Sequence, residues 1–239
     1  MAKQEIVEIK KGQVGRGLLV ENDGYMSLNL PQNRNIAESF GIGDGKTLSP
    51  KELPNPFIVS AVFQKFGIEN ANGRVYPEGT LKSAVEKYME NVKDRRAYGE
   101  ANHPEGSNIN VLNIAMNIVE LHWENHTLVG KMEIPLTEGF RNLGIVSTSA
   151  DMVAQWLISG LRLGVSSRGL GNVIKQFGQL VVDSDYEIVA FDVVAQPSTP
   201  QAYIGLTDNE LRPYVESKDK NGNTINESKY DKFEKWLLT

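Results

Sequence analysis

Short apolar runs set between turn residues decide what this chain can fold into. Residues 57–63, FIVSAVF, are apolar, partly β-branched and bounded by polar turns, the pattern of a strand. Residues 110–134 read as a hairpin, with VLNIAMNIVELHW and TLVGKMEI joined at Glu124, Asn125 and His126. Three more strand-like pieces follow, LRLGVSS, LGNVIKQF and YEIVAFDVVA, and Pro197 and Pro200 stop the last of them. Two helices interrupt the strands. The spacing predicts one after Pro77, with Leu81, Val85 and Tyr88 on one face. A second starts near Ser149 and Asp151, capped by Ser149, with Met152, Trp156 and Leu157 on its apolar stripe. The fold class expected is therefore α+β, a strand-rich domain over residues 55–208.

The flanks read differently. Residues 1–54 form a peripheral segment that offers LLVEN and YMSLNL as short strands and is broken by Pro31, Asn33, Asn35 and the GIGDGK run. Residues 209–239 form a polar tail with a short amphipathic end, KFEKWLL. With 239 residues and a hydrophobic fraction of 40%, the chain can build one sizeable core and is not disordered throughout.

Composition removes several kinds of chemistry. The chain has no cysteine, which excludes a disulfide, a thiolate nucleophile and a Cys-ligated zinc. A formal net charge of −5 lacks the basic footprint of phosphate binding, so no direct nucleic-acid partner is expected. The N-terminus MAKQEIVEIKKG has no apolar signal core and no run is long enough to span a bilayer; a soluble, intracellular protein without membrane attachment is expected. GxGxxG and Walker A loops are absent in usable form, and no cofactor is expected.

Three histidines remain as versatile groups. His122 and His126 flank the hairpin turn without a supporting carboxylate motif, so they read as solvated turn residues and no metal site is expected. His103 lies in the loop YGEANHPEGSN, where it fits either a turn residue bonded to local backbone or a general base. Ser166 lies in LGVSSRGLG, either a plain Ser-Ser strand end or a nucleophile beside backbone N–H donors at Arg168 and Gly169. Asp192 sits among Val189, Phe191, Val193 and Val194, where a carboxylate must be paired. It fits a salt bridge to Arg162 or Arg168, the solvent side of a half-exposed strand, or the orienting member of a catalytic triad.

Taken in order, FGIENANGRVYPEG, GEANHP, GVSSRGLG and FDVVAQPSTPQAYI resemble the prohead core protein proteases of large tailed bacteriophages, relatives in fold of the herpesvirus maturation protease. The resemblance covers residues 57–205. It implies a distorted antiparallel β-barrel surrounded by helices and a serine endopeptidase with His103, Ser166 and Asp192 as its working residues. Ser167 is the alternative nucleophile; Ser166 is preferred because it follows Val165, and the amides at Arg168 and Gly169 would hold the oxyanion. The third member is a histidine in the herpesvirus relatives, and Asp192 stands in the matching place.

The resemblance also implies substrates and a setting. Cleavage is expected after Glu in (Leu/Ile)-x-Glu before a small residue, within phage scaffold, core and capsid proteins, inside the assembling prohead in the host cytoplasm. Three such strings occur in the chain itself, ending at Glu38, Glu138 and Glu227. They predict a zymogen that oligomerises, removes its N-terminal segment, trims its tail and later inactivates itself by autocleavage. The rival readings are a non-catalytic capsid-assembly or scaffold protein on the same fold, and a small-molecule hydrolase with an apolar pocket.

Overall fold

The computed structural model describes residues 6–21, 48–104 and 106–205. Within them nine strands form two sheets. One holds β2 (Phe57–Lys65), β4 (Tyr98–Glu100), β5 (Ile114–Glu124) and β6 (Thr127–Ile134) in the order β2-β6-β5-β4, all antiparallel. The other is built around the long strand β7 (Gly164–Gln176). It carries β1 (Gly15–Val20) along one side, and β8 (Gln179–Val182) and β9 (Glu187–Val194) along the opposite side. The two-residue strand β3 (Arg74–Val75) adds to β8 in parallel, so this sheet is mixed.

β2, β5, β6, β7 and β9 lie on the predicted apolar runs, whereas β3, β4 and β8 form where no strand was expected, and three further expectations change. LRLGVSS and LGNVIKQF are one strand, β7, not two. The LLV of the N-terminal flank is a strand of the main sheet, with Leu18 and Leu19 in its core. The barrel is not closed: among the described residues the ladders form two sheets, joined by single bridges from Ala101 to Val193, Gly164 to Tyr203 and Ala61 to Ile204.

Three helices cover the sheets: α1 (Glu78–Lys93), α2 (Glu138–Leu143) and α3 (Ser149–Ile158). Pro77 precedes α1, and Leu81, Val85 and Tyr88 are buried on its inner face as the spacing predicts. The cap of α3 is Thr148, one residue earlier than expected: its hydroxyl accepts from the Asp151 N–H while Asp151 reaches back to the Thr148 N–H, a reciprocal capping box. The stripe of α3 is Ala150, Val153, Ala154, Leu157 and Ile158, and Trp156 is turned outward. No described helix is long and apolar enough to cross a membrane.

The core lies between the sheets. Phe191 of β9 packs edge-on against Phe63 of β2 and against Tyr88 of α1, with centroids 5.2 and 5.6 Å apart. This contact draws β9 towards β4, and Gly99 makes the approach possible. A Cβ at Gly99 would lie 2.1 Å from the Phe191 carbonyl oxygen and 2.5 Å from the Met116 methyl. Gly99→Ala is expected to cost about 2–3 kcal/mol of stability, read by urea unfolding, because backbone as well as side chain must move.

Candidate active site

The close approach of β4 to β9 assembles a buried cluster of charged side chains. Beyond β4 the chain stays tied to β9: the Asn102 N–H donates to the Val193 carbonyl at 2.7 Å, and Ala101 bridges Val193. His103 is thereby delivered to Asp192. Its Nδ1 lies 2.7 Å from Asp192 Oδ2, and the ring is 3% exposed. The Glu100 N–H donates to the other oxygen, Oδ1, at 2.9 Å.

Arg168 completes the cluster from β7. Its Nε donates to Asp192 Oδ2 at 2.9 Å, and one terminal nitrogen donates to Glu100 Oε1 at 3.0 Å. The other terminal nitrogen donates to the Gly106 carbonyl at 2.6 Å, which pins the loop carrying His103. Burial works against a charge on Asp192, yet the hydrogen bonds from His103 and Arg168 and the positive charge of the guanidinium hold its carboxyl below the usual carboxylate range. Asp192 therefore takes both partners between which the sequence left a choice, imidazole and guanidinium, and Arg168 is the arginine that bonds it.

Ser166 stands directly opposite Asp192 in the β7–β9 ladder. Directly opposed residues of an antiparallel pair share a face, so Ser166, Asp192 and, two residues on, Arg168 project to the same side. Ser167 projects to the other side with Phe191, where its hydroxyl accepts from Gln64 Nε2 at 3.1 Å. Ser166 is not at a strand end but inside β7 and fully buried, and its hydroxyl donates a short hydrogen bond to the Glu21 carbonyl. His103 Nε2 has no hydrogen-bond partner among the described residues. The structure thus joins His103 to Asp192 and sets Ser166 on the same face, without a bond between hydroxyl and imidazole.

The remaining expected residues are placed as follows. Arg168 and Gly169 lie between strands, facing Val20 and Leu19 on one side and Ala190 and Ile188 on the other. Glu138 opens α2 just after its cap Thr137, so its backbone is helical. Glu38 and Glu227 lie outside the described residues. His122 is half-exposed between Glu120 and Glu124 on β5, and His126 meets the edge of Phe66 in the two-residue hairpin turn. Sequence reasoning missed Glu100 as a partner of Arg168. The signal was present, since a carboxylate three residues before His103 in a strand-like YGE is a natural counter-charge.

Among curated proteins, the chain is 32% identical over 164 residues to the prohead core protein protease of Enterobacteria phage T4, covering 67% of this chain and 72% of that protein. Among solved structures, the bacteriophage T4 capsid assembly protease superposes with a TM-score of 0.56 over 75% of this chain and 98% of the other, at 21% identity, a likeness of fold. The sequence model described as "Prohead core protein serine protease" matches residues 18–211, a span that takes in the end of β1, the His103 loop, β7 and β9 together, and the chain belongs to that family of proteases.

Proposed function

We propose that the protein is a serine endopeptidase in which Ser166 attacks the scissile carbonyl, His103 carries the proton and Asp192 orients His103. The 2.7 Å contact between His103 Nδ1 and Asp192 carries this reading. A carboxylate on Nδ1 favours the tautomer whose Nε2 is free to accept a proton, and Nε2 is the nitrogen without a partner among the described residues. The shared face with Asp192 supports Ser166 over Ser167 as nucleophile. Of the oxyanion donors expected at Arg168 and Gly169, only one backbone amide can serve, because successive amides of β7 point to opposite sides of the strand. The Arg168 side chain is committed to Asp192, Glu100 and Gly106, and acts by positioning.

The substrates are scaffold, core and capsid proteins of a phage prohead in the host cell, and other copies of the chain. Cleavage falls after Glu in (Leu/Ile)-x-Glu before a small residue. The printed names of the T4 relatives, one a prohead core protein protease and the other a capsid assembly protease, support this setting. Incubation with a serine-directed fluorophosphonate tests the chemistry. One label per chain is expected, mapped to Ser166 by mass spectrometry and lost in His103→Ala. A chain that stays unlabelled while cleaving nothing would be an assembly component and would end the reading.

A further inference from the structure

Two of the four motifs behind the resemblance, residues 66–79 and 191–204, supply groups that the chemistry above does not use. They meet around Glu21, the residue that follows β1. Glu21 is fully buried. Its Oε1 accepts from Arg74 at 2.9 Å and from the Tyr76 hydroxyl at 2.5 Å. Its Oε2 accepts from Asn70 at 2.6 Å, Asn72 at 2.7 Å and the Ser198 hydroxyl at 3.1 Å. Burial opposes the charge, but Arg74 and the bonds from Tyr76 and Asn72 hold the carboxyl below its ordinary range. Five donors on one carboxylate discriminate by charge and by hydrogen bonding. A glutamine there would turn its NH2 towards a donor.

The same residue meets Ser166 at its other end. The Ser166 hydroxyl donates to the Glu21 carbonyl oxygen, and the Glu21 N–H donates to the Ser167 carbonyl at 3.1 Å. β1 lies antiparallel on β7, with Val20 opposite Arg168. This is how an extended peptide adds to a sheet edge: main-chain bonds hold it and alternate side chains enter pockets. Leu19, two residues before Glu21, is buried as well. One residue therefore offers its side chain to a fitted anion pocket while its carbonyl oxygen is bonded to the buried serine hydroxyl.

We propose that Asn70, Asn72, Arg74, Tyr76 and Ser198 form the recognition pocket for a glutamate side chain, that Glu21 occupies it in cis as a substrate, and that Ser166 cleaves the bond after Glu21. This rests on Ser166 being the nucleophile. In the step, the Ser166 Oγ–C bond to the Glu21 carbonyl carbon forms and the Glu21–Asn22 C–N bond breaks. The hydroxyl proton passes through His103 to the departing amine of Asn22. Water then hydrolyses the ester, releases residues 1–21 with a terminal Glu21 carboxylate, and restores the hydroxyl. Residues 19–21 have the (Leu/Ile)-x-Glu form of the three strings noted in the sequence, but Asn22 stands where those have Ser or Gly. Until the imidazole reaches Ser166, the hydroxyl stays on the Glu21 carbonyl and the precursor is uncut.

The test uses the full chain and a pair of peptides, one with Leu-x-Glu and one with Leu-x-Gln at the cleavage position. On incubation, wild type should yield a chain beginning at Asn22, and Ser166→Ala should not. Glu21→Gln, nearly the same shape, should slow that cut about 100-fold or more, as expected when a site built for one polar group receives another. Arg74→Met should shrink the preference for the Glu peptide by about as much, with melting measured to confirm folding. If wild type turns over the Glu peptide and never begins at Asn22, or Glu21→Gln is cut as fast as wild type, the proposal falls and the protease reading stands. If Ser166→Ala keeps cutting, or wild type cuts neither itself nor either peptide, both fall.

Discussion

Ser166→Ala is expected to reduce cleavage of a Leu-x-Glu peptide by about 10,000-fold or more, and His103→Ala by a similar factor. The two effects should not add. Without the hydroxyl, the base has nothing to deprotonate, and without the base, the hydroxyl is a weak nucleophile. The double variant should therefore be about as inactive as either single one. Folding should survive in Ser166→Ala, because the hydroxyl makes one bond, to the Glu21 carbonyl. Losing such a bond costs about 1 kcal/mol. Ser167→Ala is the control: that hydroxyl faces Gln64 rather than the imidazole, so the variant should keep substantial turnover. Near-normal turnover by Ser166→Ala, with loss in Ser167→Ala, would move the nucleophile by one residue.

Arg168→Met should produce the largest loss of stability, about 3–5 kcal/mol, because it strips a buried cation from two buried carboxylates. Asp192 and Glu100 are both fully buried and both bonded to that guanidinium. The pH dependence identifies the cause. In the wild type the Asp192 carboxyl is held low, so its contribution is present above the unfolded value of about 3.9 and is lost as pH falls through the lower folded value. In Arg168→Met the buried Asp192 carboxylate loses the guanidinium that favours its charge, and protonation relieves it. The deficit against wild type should therefore shrink as pH falls into the acid range. Arg168→Met combined with Glu100→Gln should recover part of the loss at neutral pH. A deficit independent of pH and untouched by the second change would mean that Arg168 matters only as packing volume.

Much of this arrangement could be read from the chain, and the failures have physical causes. β2, the hairpin of β5 and β6, and α1 follow from periodicity because each buries a single face or run. Joining the pieces of β7 did not follow, because Gly169 and Gly171 look like breaks. They are close approaches instead: a Cβ at Gly169 would sit 2.4 Å from the Tyr186 ring, so the strand runs on with glycine where an aromatic crosses it. The same glycines make Ser166 look like a strand end, whereas it lies inside β7 and is fully buried. Asp192 was legible as a carboxylate that needs partners, since apolar residues flank it. Its choice of both His103 and Arg168 was not legible, because it depends on how near β4 comes to β9. The role of Glu21 lay further out of reach. Its donors come from residues 70–76 and 198, distant stretches that only the folded sheet brings together.

Among the described residues, β1 is the strand that covers one side of β7 from Arg168 to Val173. A chain that starts beyond residue 21 leaves six positions of open ladder, with amides and carbonyls looking for company. Inside a crowded shell that raw margin is an advantage, since any unfolded stretch of a neighbour can dock there. In dilute preparations it is a hazard: truncated copies should clump side by side, and a short peptide copying residues 15–21 should keep them dispersed.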